Sequence, residues 1–207
     1  MRREFAGAAG YLNTASLGVP PQVAVDEMTA AIHAWQLGAA EPTEYDRYVE
    51  EARSSFAAMV GVPPSHVAVG AQVSALVAMA TTVLEPGSRV LVPEREFTST
   101  TFPFLVRHDL RLDVVAAPLE GLAEAIEPDT DMVAFSLVQS ADGRVADVAA
   151  IRSAAAEVGA LTMVDATQAA GWLPYRAADF DISVAGAYKW LLSPRGTAFM
   201  TLRPELL

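Results

Sequence analysis

Short apolar runs alternate with alanine-rich stretches of helical spacing over most of the chain. The runs are rich in β-branched residues, and several are apolar at every position, as strands buried on both faces are. We predict strands at 66–69, 89–92, 112–116, 132–138, 161–164, 182–185 and 197–202. We predict helices at 71–84, 99–107, 119–126 and 147–158. This alternation indicates an α/β fold in which helices cover a mainly parallel, seven-stranded sheet in a three-layer arrangement.

The first part of the chain lacks this alternation. Residues 1–20 carry scattered glycines and end in prolines, which predicts an irregular N-terminal arm. A helix beginning at about Pro21 follows, with Ile32 and Trp35 on one apolar face. A second helix is predicted over 43–60.

Composition and charge narrow the classes of function. Of the 207 residues, 52% are hydrophobic and 19% are charged, which is typical of a globular protein. The formal net charge is −11, and an acidic surface repels phosphate backbones, so we expect no nucleic-acid partner. No apolar run is long enough to cross a bilayer, and no signal-peptide pattern is present. We therefore expect a soluble, cytoplasmic protein without a membrane partner.

The residues most often used in metal and thiol chemistry are scarce. The sequence has no cysteine, which excludes disulfides, thiolate metal sites and a cysteine nucleophile within these residues. The three histidines, His33, His66 and His108, match no metal-ligand spacing, so we expect no metal site.

A carboxylate stands where a buried strand ends. Asp165 follows the strand at 161–164, and Gln168 comes three residues later. Ligands of parallel sheets bind at the carboxyl ends of the strands, where a carboxylate could bind a cationic ring nitrogen through a charge-assisted hydrogen bond. The alternative is that Asp165 only caps the following segment.

A lysine follows the next strand. Lys189 lies shortly after the strand at 182–185, between Tyr188 and Trp190. Apolar surroundings lower the pKa of a lysine and make its amine nucleophilic, as Schiff-base formation requires. The alternative is a lysine that snorkels out of an apolar patch to solvent.

Two other strand-to-helix junctions carry weaker signals. The segment 70–74, Gly-Ala-Gln-Val-Ser, offers free backbone N–H groups at a helix N-terminus, as a phosphate site does, although many such junctions look alike. Phe97, after the strand at 89–92, could stack on a flat ring or pack in the core. No Walker loop or GxGxxG motif is present, so nothing supports a nucleotide or nicotinamide cofactor.

Together these motifs resemble the class V aminotransferase family of pyridoxal-phosphate (PLP) enzymes, which have fold type I. The likeness begins with Tyr-Leu-Asn-Thr-Ala-Ser-Leu-Gly at 11–18 and continues through 70–74, Phe97, 136–143 and the Asp-x-x-Gln of 165–168. It ends with Tyr-Lys-Trp-Leu-Leu-Ser-Pro-Arg-Gly-Thr-Ala-Phe at 188–199. This last segment is most similar to the isopenicillin-N-epimerase-like and ergothioneine C–S-lyase-like branches.

The resemblance implies a role for each of these residues. Lys189 would form a Schiff base with PLP and move the proton at the substrate α-carbon, and Asp165 would keep the pyridine nitrogen protonated. Gln168 would bind the phenolic oxygen of the ring, and Phe97 takes the place of the ring-stacking histidine of the family. The other implied residues are Ala71 and Gln72 at the phosphate, Ser140, Gly186 and Tyr188 beside the cofactor, and Asn13 near the substrate.

Some positions depart from the family pattern. Gly186 and Tyr188 stand where many members have serine and histidine, and Ser140 stands where many have asparagine. The missing serine removes one phosphate donor, and Phe97 removes an acid–base group. Together with the absence of cysteine from these residues, these departures disfavour cysteine desulfurase chemistry.

The resemblance also implies a function and a domain organisation. We expect a PLP-dependent, homodimeric enzyme that acts on an amino acid or amine by transamination, or by C–S lyase or epimerase chemistry. Residues 1–20 would form the arm and 21–207 the PLP-binding large domain, without the C-terminal small domain of the family. The alternative is a truncated, non-catalytic PLP-fold domain that serves as a cofactor-binding or dimerisation module.

Overall fold

A computed structural model describes residues 4–206 of the chain. Within this range the helices are α1 (Gln22–Gln36), α2 (Asp46–Val60), α3 (Val73–Ala80), α4 (Thr98–Leu105) and α5 (Val148–Val158). The strands are β1 (Val67–Gly70), β2 (Arg89–Pro93), β3 (Asp113–Ala117), β4 (Thr130–Ser136), β5 (Leu161–Asp165), β6 (Ile182–Gly186) and β7 (Ala198–Leu202). Every predicted strand is therefore present, within a few residues of its expected ends. No helix in this range is long and apolar enough to cross a membrane.

All seven strands form one sheet, in the order β1-β7-β6-β5-β4-β2-β3. The pairs from β6 to β3 are parallel, whereas β7 is antiparallel to both of its neighbours, β6 and β1. The predicted mainly parallel, seven-stranded sheet is confirmed. Asp165 lies at the centre of this sheet, opposite Ser136 of β4 and Val184 of β6.

The helices cover both faces of the sheet, and the alternation of side chains along β4 shows how. Val133 and Phe135 point into a core shared with α2 and α5, whereas Met132 and Ala134 belong to a second core shared with α3 and α4. Both sets are fully buried, because successive side chains of a strand point to opposite faces and here both faces are covered. The predicted three layers are thus present.

Local chemistry sets the ends of several helices. The Asp147 carboxylate accepts a hydrogen bond from the backbone N–H of Ala150 at 3.1 Å and caps the start of α5. Helices α2 and α5 both end at a glycine with positive φ, Gly61 at 73° and Gly159 at 77°.

Some of the predicted helices are shorter than expected. The helix predicted at 119–126 is wrong, because only a 3₁₀ turn forms there, at Leu119–Gly121. The apolar residues of this segment pack into the core without forming a helix, as the fully buried Leu122 shows. Likewise, α3 stops at Ala80 and continues as a 3₁₀ turn at Thr81–Val83.

Candidate active site

A cavity of about 440 Å³ opens where strands β4, β5 and β6 end, beside the start of α3. This is the edge at which α/β sheets bind ligands. The residues expected to contact the cofactor all line it: Ala71, Gln72, Phe97, Ser140, Asp165, Gln168, Gly186, Tyr188 and Lys189. The expected substrate residue, Asn13, does not line it.

Asp165 is the buried carboxylate of this cavity, with 4% of its surface exposed. It accepts hydrogen bonds from the backbone N–H of Thr167 at 2.8 Å and from the Thr100 hydroxyl at 3.2 Å. No lysine or arginine of residues 4–206 forms an ion pair with it. Burial therefore raises the pKa of Asp165, although the bonds from Thr167 oppose this effect. The residues after Asp165 form turns, so the capping alternative applies to a turn and not to a helix.

Lys189 is the buried cation of the lining, with 5% of its surface exposed. Its Nζ lies 5.3 Å from the ring centroid of Phe97 and 5.7 Å from that of Tyr188. Burial lowers the pKa of Lys189, the negative charge of Asp165 raises it, and the positive charge of Arg195 lowers it further. A side chain buried between two rings does not fit the snorkelling alternative.

Gln168 links three parts of the site. Its Nε2 donates to the Ala15 carbonyl at 3.0 Å and to the Ser140 hydroxyl at 3.2 Å. Its Oε1 accepts a hydrogen bond from the Trp190 indole at 2.9 Å. Both amide hydrogens and the amide oxygen therefore already have partners within the protein.

The N-terminal arm reaches the site through its backbone. The N–H of Gly18 donates to the Tyr188 carbonyl at 2.8 Å, and a Cβ at Gly18 would lie only 2.1 Å from the Lys189 carbonyl oxygen. Asn13 is exposed, and its carbonyl accepts hydrogen bonds from Tyr11 and from backbone N–H groups of the arm. The arm thus approaches the site through Ala15 and Gly18, and the placement of Asn13 near a substrate stays a prediction.

Sequence reasoning missed a carboxylate that joins the ends of β2 and β4. Glu96 accepts hydrogen bonds from the backbone N–H of Phe97 at 2.7 Å, the backbone N–H of Ser136 at 2.7 Å and the Gln139 side chain at 2.9 Å. The Ser136 hydroxyl also donates to it. Its position next to Phe97 was the only signal in the sequence, since its other partners lie about forty residues away.

Two threonines were also missed. The backbone N–H of Thr167 fixes Asp165, and its hydroxyl accepts a hydrogen bond from the N–H of Gly186 at 2.9 Å. Thr100, in the first turn of α4, donates to the other oxygen of Asp165. These contacts hold the carboxylate in one orientation toward the cavity.

A family model described as aminotransferase class-V matches residues 24–207. The chain belongs to the class-V aminotransferase family. This confirms the resemblance inferred from the sequence motifs, and membership of the family supports PLP as the cofactor.

The relatives include amino-acid enzymes of different activity. The uncharacterized aminotransferase YcbU of Bacillus subtilis is 32% identical over 166 residues, which cover 76% of this chain and 45% of that protein. The isopenicillin N epimerase of Streptomyces clavuligerus is 29% identical over 223 residues, which cover 95% of this chain and 54% of that protein. The chain spans about half the length of the curated relatives it matches.

Solved structures share the fold of this class-V aminotransferase chain. The cysteine desulfurase of Thermococcus onnurineus NA1 superposes with a TM-score of 0.83 and 18% identity over 99% of this chain and 56% of that one. A variant of C-DES with glycine covalently linked to its PLP superposes with a TM-score of 0.84 and 18% identity, over 99% of this chain and 60% of that one. At such identities the likeness concerns the fold, and it confirms the expected α/β fold of fold type I PLP enzymes.

Proposed function

We propose that the chain binds PLP in this cavity and acts on an amino acid or amine, with Lys189 as the attachment point of the cofactor. The observation that carries the proposal is the pair Asp165 and Lys189. Both are buried, both line one cavity, and they form no ion pair with each other. A protein rarely leaves an acidic and a basic side chain buried in one cavity without pairing them unless a ligand completes their contacts.

The groups that line the cavity fit PLP. Asp165 lacks a cationic partner within residues 4–206 and suits a protonated ring nitrogen. The loop residues Ala71 and Gln72 lead into α3, where free backbone N–H groups and the helix dipole suit a phosphate. The ring of Phe97, 41% exposed, is free to stack on a flat cofactor. When bound, PLP supplies a ring that withdraws the electrons released at the substrate α-carbon.

Lys189 and Asp165 have complementary tasks in this proposal. Burial favours the neutral amine of Lys189, which is the form that attacks a carbonyl carbon and takes up a proton. Asp165, fixed by Thr167 and Thr100, holds a proton at the ring nitrogen through a charge-assisted hydrogen bond.

Gln168 acts through a neighbour. The Nε2 of Gln168 already donates to Ala15 and to Ser140, and the Ser140 hydroxyl that accepts this bond keeps its own hydrogen to donate into the cavity. We infer that Ser140 donates to the ring oxygen of the cofactor and that Gln168 orients Ser140. This refines the expected role of Gln168 without removing it from the site.

Transamination and C–S lyase or epimerase chemistry remain the candidate reactions, since the relatives include an aminotransferase and epimerases. A second copy of the chain is the proposed partner. Helix α1 contributes no buried residue and leaves its apolar face exposed, as an association surface does.

The test is absorbance of the purified chain in the presence of PLP. We expect a near-visible band of protein-bound cofactor that withstands dialysis, and its loss in Lys189→Ala. A band that shifts on addition of an amino acid supports an enzyme, and its products, keto acid, racemised amino acid or released sulfur, identify the reaction. A band that no amino acid or amine shifts supports the non-catalytic module. A wild-type chain without any band would refute the cofactor proposal.

A further inference from the structure

The cavity holds a cation that the proposed cofactor contacts do not use. Arg195 lies in the loop between β6 and β7 and lines the cavity together with Gly196 and Thr197. Its Cζ is 4.8 Å from the ring centroid of Tyr188, whose ring also faces the Lys189 amine. Stacking on Tyr188 holds the guanidinium beside the cavity.

Arg195 lacks a counter-ion in the part of the chain that the structure describes. No carboxylate within residues 4–206 forms an ion pair with it, although most other arginines there are paired, among them Arg89, Arg107 and Arg203. The chain carries 25 acidic residues against 14 basic ones. An arginine that stays unpaired beside a pocket of such an acidic protein is available to an anion from solution.

The surroundings of Arg195 suit an oxygen anion. Hydroxyls of Ser74, Ser99 and Thr197 line the same cavity and can donate hydrogen bonds. Val73 and Ser74, at the start of α3, line the same cavity as Arg195 and Tyr188. A guanidinium binds phosphate or carboxylate oxygens in a bidentate fork.

We propose that Arg195 is an anion-binding residue of this cavity, which binds either the phosphate of the cofactor or the carboxylate of an amino-acid substrate. The proposal rests on the proposed function, because that function supplies both anions. It adds to the chain a cation that the family motifs did not assign to the site.

The experiment compares Arg195→Met with Arg176→Met. The first variant keeps an unbranched apolar side chain next to Tyr188 and removes the guanidinium group. The second removes the same charge from an exposed arginine that precedes β6, away from the cavity lining. Binding is followed by tryptophan fluorescence, with three pairs of probes: PLP against pyridoxal, L-alanine against ethylamine on the loaded protein, and inorganic phosphate against chloride on the cofactor-free protein.

A phosphate contact predicts that Arg195→Met raises the dissociation constant of PLP roughly tenfold or more and leaves that of pyridoxal unchanged. A carboxylate contact predicts a similar loss for L-alanine and none for ethylamine. Arg176→Met should match the wild type in both cases. If Arg195→Met and Arg176→Met bind every anion equally, the proposal is overturned.

The inorganic phosphate titration separates this proposal from the proposed function. If the wild type fails to bind PLP but binds inorganic phosphate in a manner that Arg195→Met abolishes, the anion site stands and the cofactor proposal fails. If the wild type binds PLP, and Arg195→Met binds both PLP and L-alanine as tightly as the wild type does, the cofactor proposal stands and the anion site fails.

Discussion

Two carboxylates are almost equally buried in the sheet, but their partners differ. Asp181, 5% exposed, pairs with the Arg203 guanidinium and accepts hydrogen bonds from the backbone N–H and the hydroxyl of Thr162, each at 2.8 Å. Asp165, 4% exposed, accepts hydrogen bonds from neutral groups only. A buried charge without an opposite charge destabilises the folded state, so Asp165 is kept at the expense of stability.

We expect Asp165→Asn and Asp181→Asn to change the stability of the cofactor-free chain in opposite directions. Asp165→Asn keeps an acceptor for Thr167 and removes the unpaired charge, so the free energy of unfolding at pH 7 should rise by about 1 kcal/mol. Asp181→Asn removes the partner of Arg203 and should lower that free energy by about 2 kcal/mol. Urea unfolding measures both, and equal losses in the two variants would contradict this account of Asp165.

The effect of Asp165→Asn on stability should also depend on pH. Burial raises the pKa of Asp165 above its ordinary value of 3.8, so the folded state keeps this proton to higher pH than the unfolded state does. The contribution of Asp165 to stability is therefore present below pH 3.8 and is lost as the pH rises through the raised pKa. The free energy of unfolding of Asp165→Asn, measured in urea, should therefore exceed that of the wild type by a margin that grows as the pH rises from 3.8 through the raised pKa. Asp181→Asn is the control.

At the scale of elements, the arm is joined to the lysine loop by close backbone contacts. Gly18 is buried, and its N–H bonds to Tyr188 while the Ala15 carbonyl bonds to Gln168. A Cβ at Gly18 would come within 2.1 Å of the Lys189 carbonyl oxygen and 3.0 Å of the Leu192 Cα. The atom at 2.1 Å belongs to the backbone, so it cannot move away as the end of a flexible side chain could.

Gly18→Ala should therefore detach the arm, because the arm is mostly exposed whereas Lys189 is buried. We expect limited proteolysis within residues 11–18 to accelerate roughly tenfold or more, since a detached segment is open to cleavage. PLP affinity should fall, because Gln168 loses the Ala15 carbonyl. Gly7→Ala is the control, since nothing lies within 4 Å of its Cβ position. Equal cleavage rates in the two variants would show that the arm is not held at Gly18.

At the scale of the whole molecule, several large apolar side chains are exposed on helix α1 and just after it. Ile32 is 55% exposed, Trp35 73% and Leu37 81%. Monomeric proteins rarely keep such side chains together in water, whereas association surfaces do. This surface is the basis for the proposed second copy of the chain.

We expect Trp35→Glu to weaken self-association, since it places a charge in the centre of this apolar surface. Sedimentation velocity over a range of concentrations should show a dimer for the wild type and a shift to monomer for the variant. Met79→Glu is the control, because Met79 is 60% exposed on α3. A wild type that sediments as a monomer at all concentrations would refute the proposed dimer.

The strands could be predicted from sequence because each is a local apolar run between breakers. Their order could not, since the antiparallel position of β7 between β6 and β1 depends on pairing between distant segments. The prediction of a helix at 119–126 was wrong because the apolar residues there pack around Leu122 in an irregular segment.

In the cavity, too, local sequence signals could be read, whereas contacts between distant segments could not. Asp165 and Lys189 could be proposed from the sequence because each stands at or shortly after the end of a strand, where ligands of α/β sheets bind. Glu96 and Thr100 were not found, because their contacts with Ser136 and Asp165 form only when β2, β4 and β5 come together. The role of Asn13 stays a prediction, because a motif match gives the position of the arm but not which of its groups faces the site.

The place of β1 in the sheet also determines when the cavity can form during folding. β1 leads into the loop at 70–74 and, within residues 4–206, pairs with β7 alone, with Val67 opposite Thr201. Contacts between segments so far apart in the chain form slowly, because a long loop must close before they are gained. During synthesis, the residues of β7 must leave the ribosome before this loop is anchored beside Lys189. In the proposed function, uptake of PLP therefore follows the pairing of β1 with β7 and serves as a kinetic marker of that pairing.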